Sequence, residues 1–286
     1  MEYVLVTGVC GMIGSKLAEF LTDNGISVLG VDIKDCEKQS RYTYECVNLS
    51  DKAALSELFE RYSISRVVHL AAIAHACDNR KITWDDYYNA NVVCAENIFL
   101  QAAKRNIPIL YISTVDVYGF TQGIVSGEAK VNPVTDYGKS KAMAEHSLMK
   151  ICQENGSAYT VYRFAPVYTD DIKRDIQKRY YLNAPDWAYI IGDGIDYEFL
   201  HIDNAVKAMT EWIKENPYNN IINIKDADAV NTKKCIQEEK NQGKAKHILK
   251  FPMWLILAGY TVIKAITGEN KYTYLLHKAI KPIRTK

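Results

Sequence analysis

"VTGVCGMIGSKLAEFL", residues 6–21, sets an apolar run against three glycines at three-residue spacing and then against the opening turns of a helical pattern. The run MEYVLVTG before it reads as a strand buried on both faces. Gly8, Gly11 and Gly14 therefore sit at a strand-to-helix turn, where glycine lets the backbone approach a pyrophosphate closely and the helix N-terminus favours its negative charge. A second apolar run ends on Asp32, 18 residues after Gly14, where a carboxylate can accept hydrogen bonds from adenosine ribose hydroxyls. The same carboxylate repels a 2′-phosphate, so the sequence predicts NAD rather than NADP. A structural glycine turn with a surface aspartate is the plainer alternative for this segment taken alone.

Working outward, EYVLVTG (2–8), ISVLGVD (26–32), RVVHLAA (66–72), PILYIS (108–113), AYTVYRF (158–164) and IINIK (221–225) read as buried strands. Helical patterns near 13–23, 51–61, 84–106 and 136–155 alternate with them, the second with Ser50 as its N-cap. This rhythm predicts an α/β fold, a Rossmann-like doubly wound parallel sheet. It loosens after residue 165, which divides the chain into a dinucleotide-binding domain at 1–165 and a smaller, interleaved substrate lobe with a C-terminal amphipathic helix at 166–286. The 286 residues carry 35 Lys and Arg against 34 Asp and Glu, a balance that argues against nucleic acid and for a small-molecule partner. No basic leader precedes an apolar segment and a small-residue cleavage site, so a cytoplasmic location is expected. Seven cysteines without CxxC pairs suggest reduced thiols and no zinc site.

Chemistry is carried by DYGKSKAMAEH (136–146). Tyr137 and Lys141, four apart on a helix, share a face, so the ammonium can stabilise a phenolate that otherwise forms only near pH ~10. ISTVDVYG (112–119), at a strand end, brings the hydroxyls of Ser113 and Thr114 toward the same place.

With these pieces in order, the chain resembles the extended short-chain dehydrogenase/reductase family, in its NAD-dependent epimerase/dehydratase branch. TGVCGMIG (7–14), HLAA (69–72), NANV (89–92), STVDVYG (113–119), YGKSK (137–141), YRFAPVY (162–168) and GDGIDYEFLHIDNAVKA (192–208) follow the family's sequence order across residues 3–225. The resemblance implies that Tyr137 is the catalytic acid/base, that Thr114 hydrogen-bonds the reacting sugar oxygen, and that Lys141 lowers the tyrosine pKa and holds the nicotinamide ribose. It assigns cofactor contacts to Gly8, Gly11, Met12, Ile13, Gly14, Asp32, Asn48, Leu49, Leu70 and Ala71, with Asn48 beside the adenine. It also implies a nucleotide-sugar substrate for polysaccharide precursors, C4 epimerisation through a keto intermediate, and a homodimer through the helices at 84–106 and 136–155. A keto-sugar reductase or dehydrogenase, a sugar dehydratase and a non-catalytic dinucleotide sensor are the alternatives. Against the sensor stands the full Thr114, Tyr137 and Lys141 set.

Departures from the family pattern bear on the substrate. Tyr197 stands where an arginine usually grips the diphosphate, Pro166 where an asparagine is common, and Thr169 where a glycine is common. Lys173, Arg174, Lys178 and Arg179 are candidate replacements, although a solvated helix face is the expected reading. Asp116 falls where dehydratases tend to carry a proton-abstracting glutamate, and local backbone bonding is its alternative role. His69 is expected to be a hydrogen-bonded core residue, and His75 and Cys77 share a loop without further metal ligands nearby. The tyrosines at 42, 44, 87, 88, 180 and 181 are expected to pack. Residues 251–263 are apolar but too short to span a bilayer, which takes about 20 residues. Packing on the substrate lobe is the expected role; contact of this stretch and the basic ending 277–286 with a membrane surface is the lesser alternative.

Overall fold

The computed structural model describes residues 1–35, 41–74, 81–121, 123–182, 186–215 and 219–286. Seven strands form one parallel sheet: β1 (Tyr3–Thr7), β2 (Val28–Asp32), β3 (Thr43–Cys46), β4 (Ile64–His69), β5 (Ile109–Thr114), β6 (Tyr159–Phe164) and β7 (Asn220–Ile224). Their spatial order is β7-β6-β5-β4-β1-β2-β3, so the order reverses at β1 and opens a crevice beyond its C-terminal end. Val, Ile and Leu fill the central strands because helices cover both faces. On one face lie α2 (Lys52–Arg61), α4 (Cys94–Ala103) and α5 (Asp136–Asn155), which bury Leu58, Phe99 and Leu148. On the other lie α1 (Met12–Asp23) and α7 (Ile202–Lys214), which bury Leu17, Leu21, Met209 and Trp212.

β3 is missing from the sequence reading because its four residues, TYEC, form an edge strand with no apolar run and too short for its alternation to stand out. The predicted helix at 84–106 is divided into α3 (Trp84–Tyr88), a π-turn at Asn89–Val93, and α4. The N-cap of α2 is corrected from Ser50 to Asp51, whose carboxylate accepts the Ala53 and Ala54 N–H groups at 3.0 and 3.1 Å. Ser50 donates its hydroxyl to Asn48 Oδ1 at 2.9 Å instead. Cys46, Cys94, Cys152 and Cys235 are free thiols, whereas Cys10 is disulfide-bonded and departs from the expectation; spacing along a chain does not reveal which sulfurs a fold brings together. His75 and Cys77 lie outside the described residues.

The C-terminal part contains short α6 (Arg174–Gln177), α8 (Thr232–Asn241), α9 (Met253–Thr267) and α10 (Lys271–Ile280). Two five-residue strands that the sequence reading missed, Trp187–Ile191 and His247–Phe251, pair in parallel there. A separate apolar cluster, with Tyr180, Tyr197, Phe199, Ile236 and Tyr260, holds these elements together. Arg284 and Thr285 then pair with Ile124 and Val125, so the end of the chain returns to the segment following β5.

Candidate active site

The turn after β1 is built by close packing. Gly8 has φ +71°, and a Cβ there would stand 2.7 Å from the Ala71 backbone nitrogen. At Gly14 a Cβ would stand 2.3 Å from the Gly8 carbonyl oxygen, so this glycine lets α1 seat against the loop. Gly11 is the N-cap of α1 and supplies no side-chain acceptor, whereas Asp51, Thr135, Asn231 and Asn270 cap α2, α5, α8 and α10 with theirs. The first amides of α1 are thereby left for an anion.

A cavity of about 510 Å³ opens beside this turn. Gly8, Gly11, Asp32, Asn48, Leu49, Leu70 and Ala71 line it, as do Ile73, Ala90 and Cys94. Met12, Ile13 and Gly14 do not line it: Met12 is exposed, and Gly14 is buried against the loop. Asp32 is held by the Cys10 N–H at 3.0 Å and the Lys34 N–H at 3.2 Å, which fixes its carboxylate at the cavity rim. Glycine cradle, uncapped helix, rim carboxylate and apolar walls together fit a dinucleotide.

Asn91, in the π-turn, is a residue whose role the sequence reading did not see. Its side chain accepts the Ile73 N–H at 2.7 Å and donates to the Ile73 carbonyl and to Ser140 Oγ, each at 3.0 Å. It thus ties the cavity wall after β4 to the helix bearing Tyr137 and Lys141. The only sequence signal was NANV itself, since the π-turn that aims Asn91 is invisible to a 3.6-residue period.

α5 begins at Thr135, whose hydroxyl accepts the Gly138 N–H at 3.0 Å, and Tyr137 and Lys141 lie in its first two turns. Burial, reinforced by the Asp116 charge, raises the Tyr137 pKa, so the phenol is a neutral proton donor. Burial lowers Lys141 to about 7, with Glu145 opposing the shift. Its Nζ stands 4.3 Å from the centre of the Tyr111 ring. No hydrogen bond joins Lys141 to Tyr137 among the described residues, so the shared helix face is observed while the direct contact expected from the spacing is not formed. Thr114 ends β5, and its hydroxyl accepts the Asp116 N–H at 3.2 Å. Beneath them Arg163 grips Glu145 at 2.6 and 3.1 Å, and Ser113 donates to the same carboxylate. Both ionic partners are buried, so this pair anchors β6 to α5 below the site. His69 is buried against Thr7, 2.7 Å away, and desolvation lowers its pKa to about 3, as a core histidine requires.

Asp116 is reached from the far end of the chain. Its carboxylate accepts hydrogen bonds from Thr135 at 3.2 Å and Tyr274 at 3.0 Å, and pairs with Lys278. Burial works to raise its pKa, but Lys278 and the two hydroxyls outweigh this and hold it below the usual carboxylate range. Tyr197, at the position of the absent arginine, donates its hydroxyl to the Ala279 carbonyl and so holds α10 in place. Arg179 stands over Tyr197, 5.1 Å from the ring centre, and its buried Nε has no hydrogen-bond partner among the described residues. It therefore leaves the solvated face expected of it. Lys178 stays on that face, pairing with Asp175 at 3.3 Å, and the Arg174 side chain is outside the described set. Arg179, Lys278, Val115, Pro166 and Phe199 border one small cavity beside Asp116.

Residues 4–224 match the sequence profile of the NAD dependent epimerase/dehydratase family. The chain belongs to that family. As a family member it is an NAD-dependent enzyme, and the 510 Å³ cavity is where its residues would hold that cofactor. Among family relatives, a UDP-glucuronate 4-epimerase of Thermodesulfobacterium geofontis is 28% identical over 247 residues, 78% of this chain and 75% of that one. An uncharacterised UDP-glucose epimerase of Bacillus subtilis is 28% identical over 260 residues, 82% of this chain and 79% of that one. The fold is also that of a Thermotoga maritima UDP-glucose 4-epimerase solved with UDP-glucose, with TM-score 0.71 and 23% identity over 87% of this chain and 85% of that one.

Proposed function

We propose that this family member is a nucleotide-sugar 4-epimerase. The observation that carries this reading within the family is the division of labour between Tyr137 and Asp116. Tyr137 is a neutral donor on the helix beside the cofactor cavity, whereas Asp116 is spent on Lys278, Tyr274 and Thr135. A carboxylate with that many donors is a poor base for removing a proton next to a carbonyl, which disfavours elimination. The UDP-glucuronate 4-epimerase and the uncharacterised UDP-glucose epimerase among its relatives support the same choice.

In this reading Thr114 hydrogen-bonds the oxygen on the reacting sugar carbon, Tyr137 exchanges the proton of that oxygen, and Lys141 supplies positive charge when the phenolate forms. When bound, NAD supplies reversible hydride exchange with the same carbon. The sugar is oxidised to a ketone and reduced from its other face, with no net redox change. Arg179, which stands over Tyr197 with a buried Nε that has no hydrogen-bond partner among the described residues, is the anion contact that stands in for the missing arginine toward the diphosphate. Asp32 on the adenosine ribose sets the preference for NAD. A homodimer through α3, α4 and α5 in the cytoplasm completes the proposal.

The test is incubation of the protein with UDP-glucose, UDP-glucuronate and UDP-N-acetylglucosamine in turn, following inversion at C4 by proton NMR. Inversion without net NADH release supports epimerisation. A 4-keto-6-deoxy product, or stoichiometric NADH, replaces it with a dehydratase or a dehydrogenase.

A further inference from the structure

α9 has an unusual outer surface for a helix facing water. One side packs on the lobe through Met253, Ile256, Leu257 and Tyr260. The other exposes Trp254 (69%), Leu255 (48%), Val262 (57%), Ile263 (42%) and Ile266 (78%), with small exposed residues between them. No charged side chain lies on that face. Its two threonines turn their hydroxyls inward to the helix backbone, Thr261 to Leu257 O at 2.8 Å and Thr267 to Ile263 O at 2.9 Å. Tyr272, Leu275 and Leu276 on the outer side of α10 extend the apolar surface. Scattered exposed apolar residues are ordinary, but a contiguous set of this kind marks an interaction surface.

The surrounding charge identifies the partner. Residues 250–286 contain seven Lys and Arg and a single acid, Glu269, which is itself paired with Lys264 at 2.8 Å. Lys264, Lys278 and Arg284 are engaged by Glu269, Asp116 and Asp196, while Lys250, Lys271, Lys281 and Lys286 are exposed and carry the positive charge this part of the chain offers to a partner. A second copy placed face to face would oppose two basic surfaces, whereas anionic headgroups complement them while acyl chains receive the apolar side chains. The helix is 15 residues long, about 22 Å at 1.5 Å per residue, and lies flat on the protein. No described helix is long and apolar enough to cross a membrane.

We infer that the outer face of α9, extended by α10, docks this protein on the surface of an anionic phospholipid bilayer. Trp254, Val262 and Ile266 enter the headgroup boundary, and Lys250, Lys271, Lys281 and Lys286 meet lipid phosphates around them. The inner side of α10 keeps its hold on Asp116 through Tyr274 and Lys278, so docking leaves the candidate active site assembled.

The experiment is co-sedimentation of the full chain with vesicles of phosphatidylcholine alone and of equimolar phosphatidylcholine and phosphatidylglycerol. Pelleting with the anionic vesicles, weakened by salt, is expected, with roughly tenfold or greater loss in the Val262→Asp/Ile266→Asp variant at an unchanged melting temperature. Lys271→Glu/Lys286→Glu is expected to weaken binding while leaving the apolar face intact. Failure of the wild-type chain to pellet with anionic vesicles overturns the inference. So does a dimer in solution that Val262→Asp/Ile266→Asp converts to monomer, because the face is then covered by a second copy.

Discussion

The two sides of the candidate site are built from different material. On the cofactor side, backbone does most of the shaping: a left-handed glycine, an uncapped helix and strand ends surround an open cavity of about 510 Å³. On the substrate side, side chains from distant segments meet, and Asp116 lies 158 and 162 residues from its partners Tyr274 and Lys278. Backbone geometry fixed by local turns accepts an invariant part of the chemistry. Side-chain clusters assembled from afar can be exchanged one residue at a time, which suits the part that chooses a substrate.

Four substitutions test that contrast. Tyr137→Phe removes the proton donor and is expected to lower turnover by ~10²–10⁴-fold with dinucleotide affinity unchanged, as measured by steady-state rates and calorimetric NAD titration. An unaltered rate removes Tyr137 from the chemistry. Lys278→Met leaves the largely buried Asp116 carboxylate without its cation and is expected to destabilise the fold by about 2–4 kcal/mol, somewhat under the ~3–5 kcal/mol of a fully dry pair. Urea unfolding checks this, and Asp116→Asn in the same background is expected to recover much of the loss. If Lys278→Met costs nothing, the far-reaching cluster is not holding the substrate side together.

The third concerns pH. Lys141 has a folded pKa near 7 against an ordinary value of 10.5, so the unfolded chain binds more protons between those values and stability from this group rises with pH across that window. Its cost is fully present below pH 7 and is relieved by about pH 10.5. Lys141→Met is therefore expected to lose turnover yet gain stability, by up to a few kcal/mol at pH 6 and by little at pH 10. Equal gains at both pH values contradict the buried, shifted lysine. The smallest effect expected is that of Arg179→Ala, a rise in KM for the nucleotide sugar of about tenfold, near the lower end of the ~1.5–3 kcal/mol of one charge-assisted hydrogen bond, with kcat little changed. A change confined to kcat moves Arg179 out of the binding role.

Much of the cofactor side was legible because its signals are local. Gly8 and Asp32 sit at strand ends, Gly11 opens the first helix, and Tyr137 and Lys141 share one helical face, all readable from spacing alone. Met12, Ile13 and Gly14 do not line the cavity, and what the motif offers through them is the uncapped amides of the first turn of α1 rather than side chains. Arg179 looked like part of a charged surface run. Only the approach of Tyr197 and α10 drew it inward.

By itself the sequence determined the alternation of strands and helices, the glycine turn after β1, the acid at the end of β2 and the tyrosine–lysine face, since each depends on periods of two or 3.6 residues and on glycine sterics. The tertiary structure decided the π-turn that aims Asn91, the burial that shifts Lys141, the capture of Asp116 by α10 and the outward side of α9. Those follow from which surfaces lose water to one another, and desolvation belongs to the assembled fold rather than to any stretch of chain.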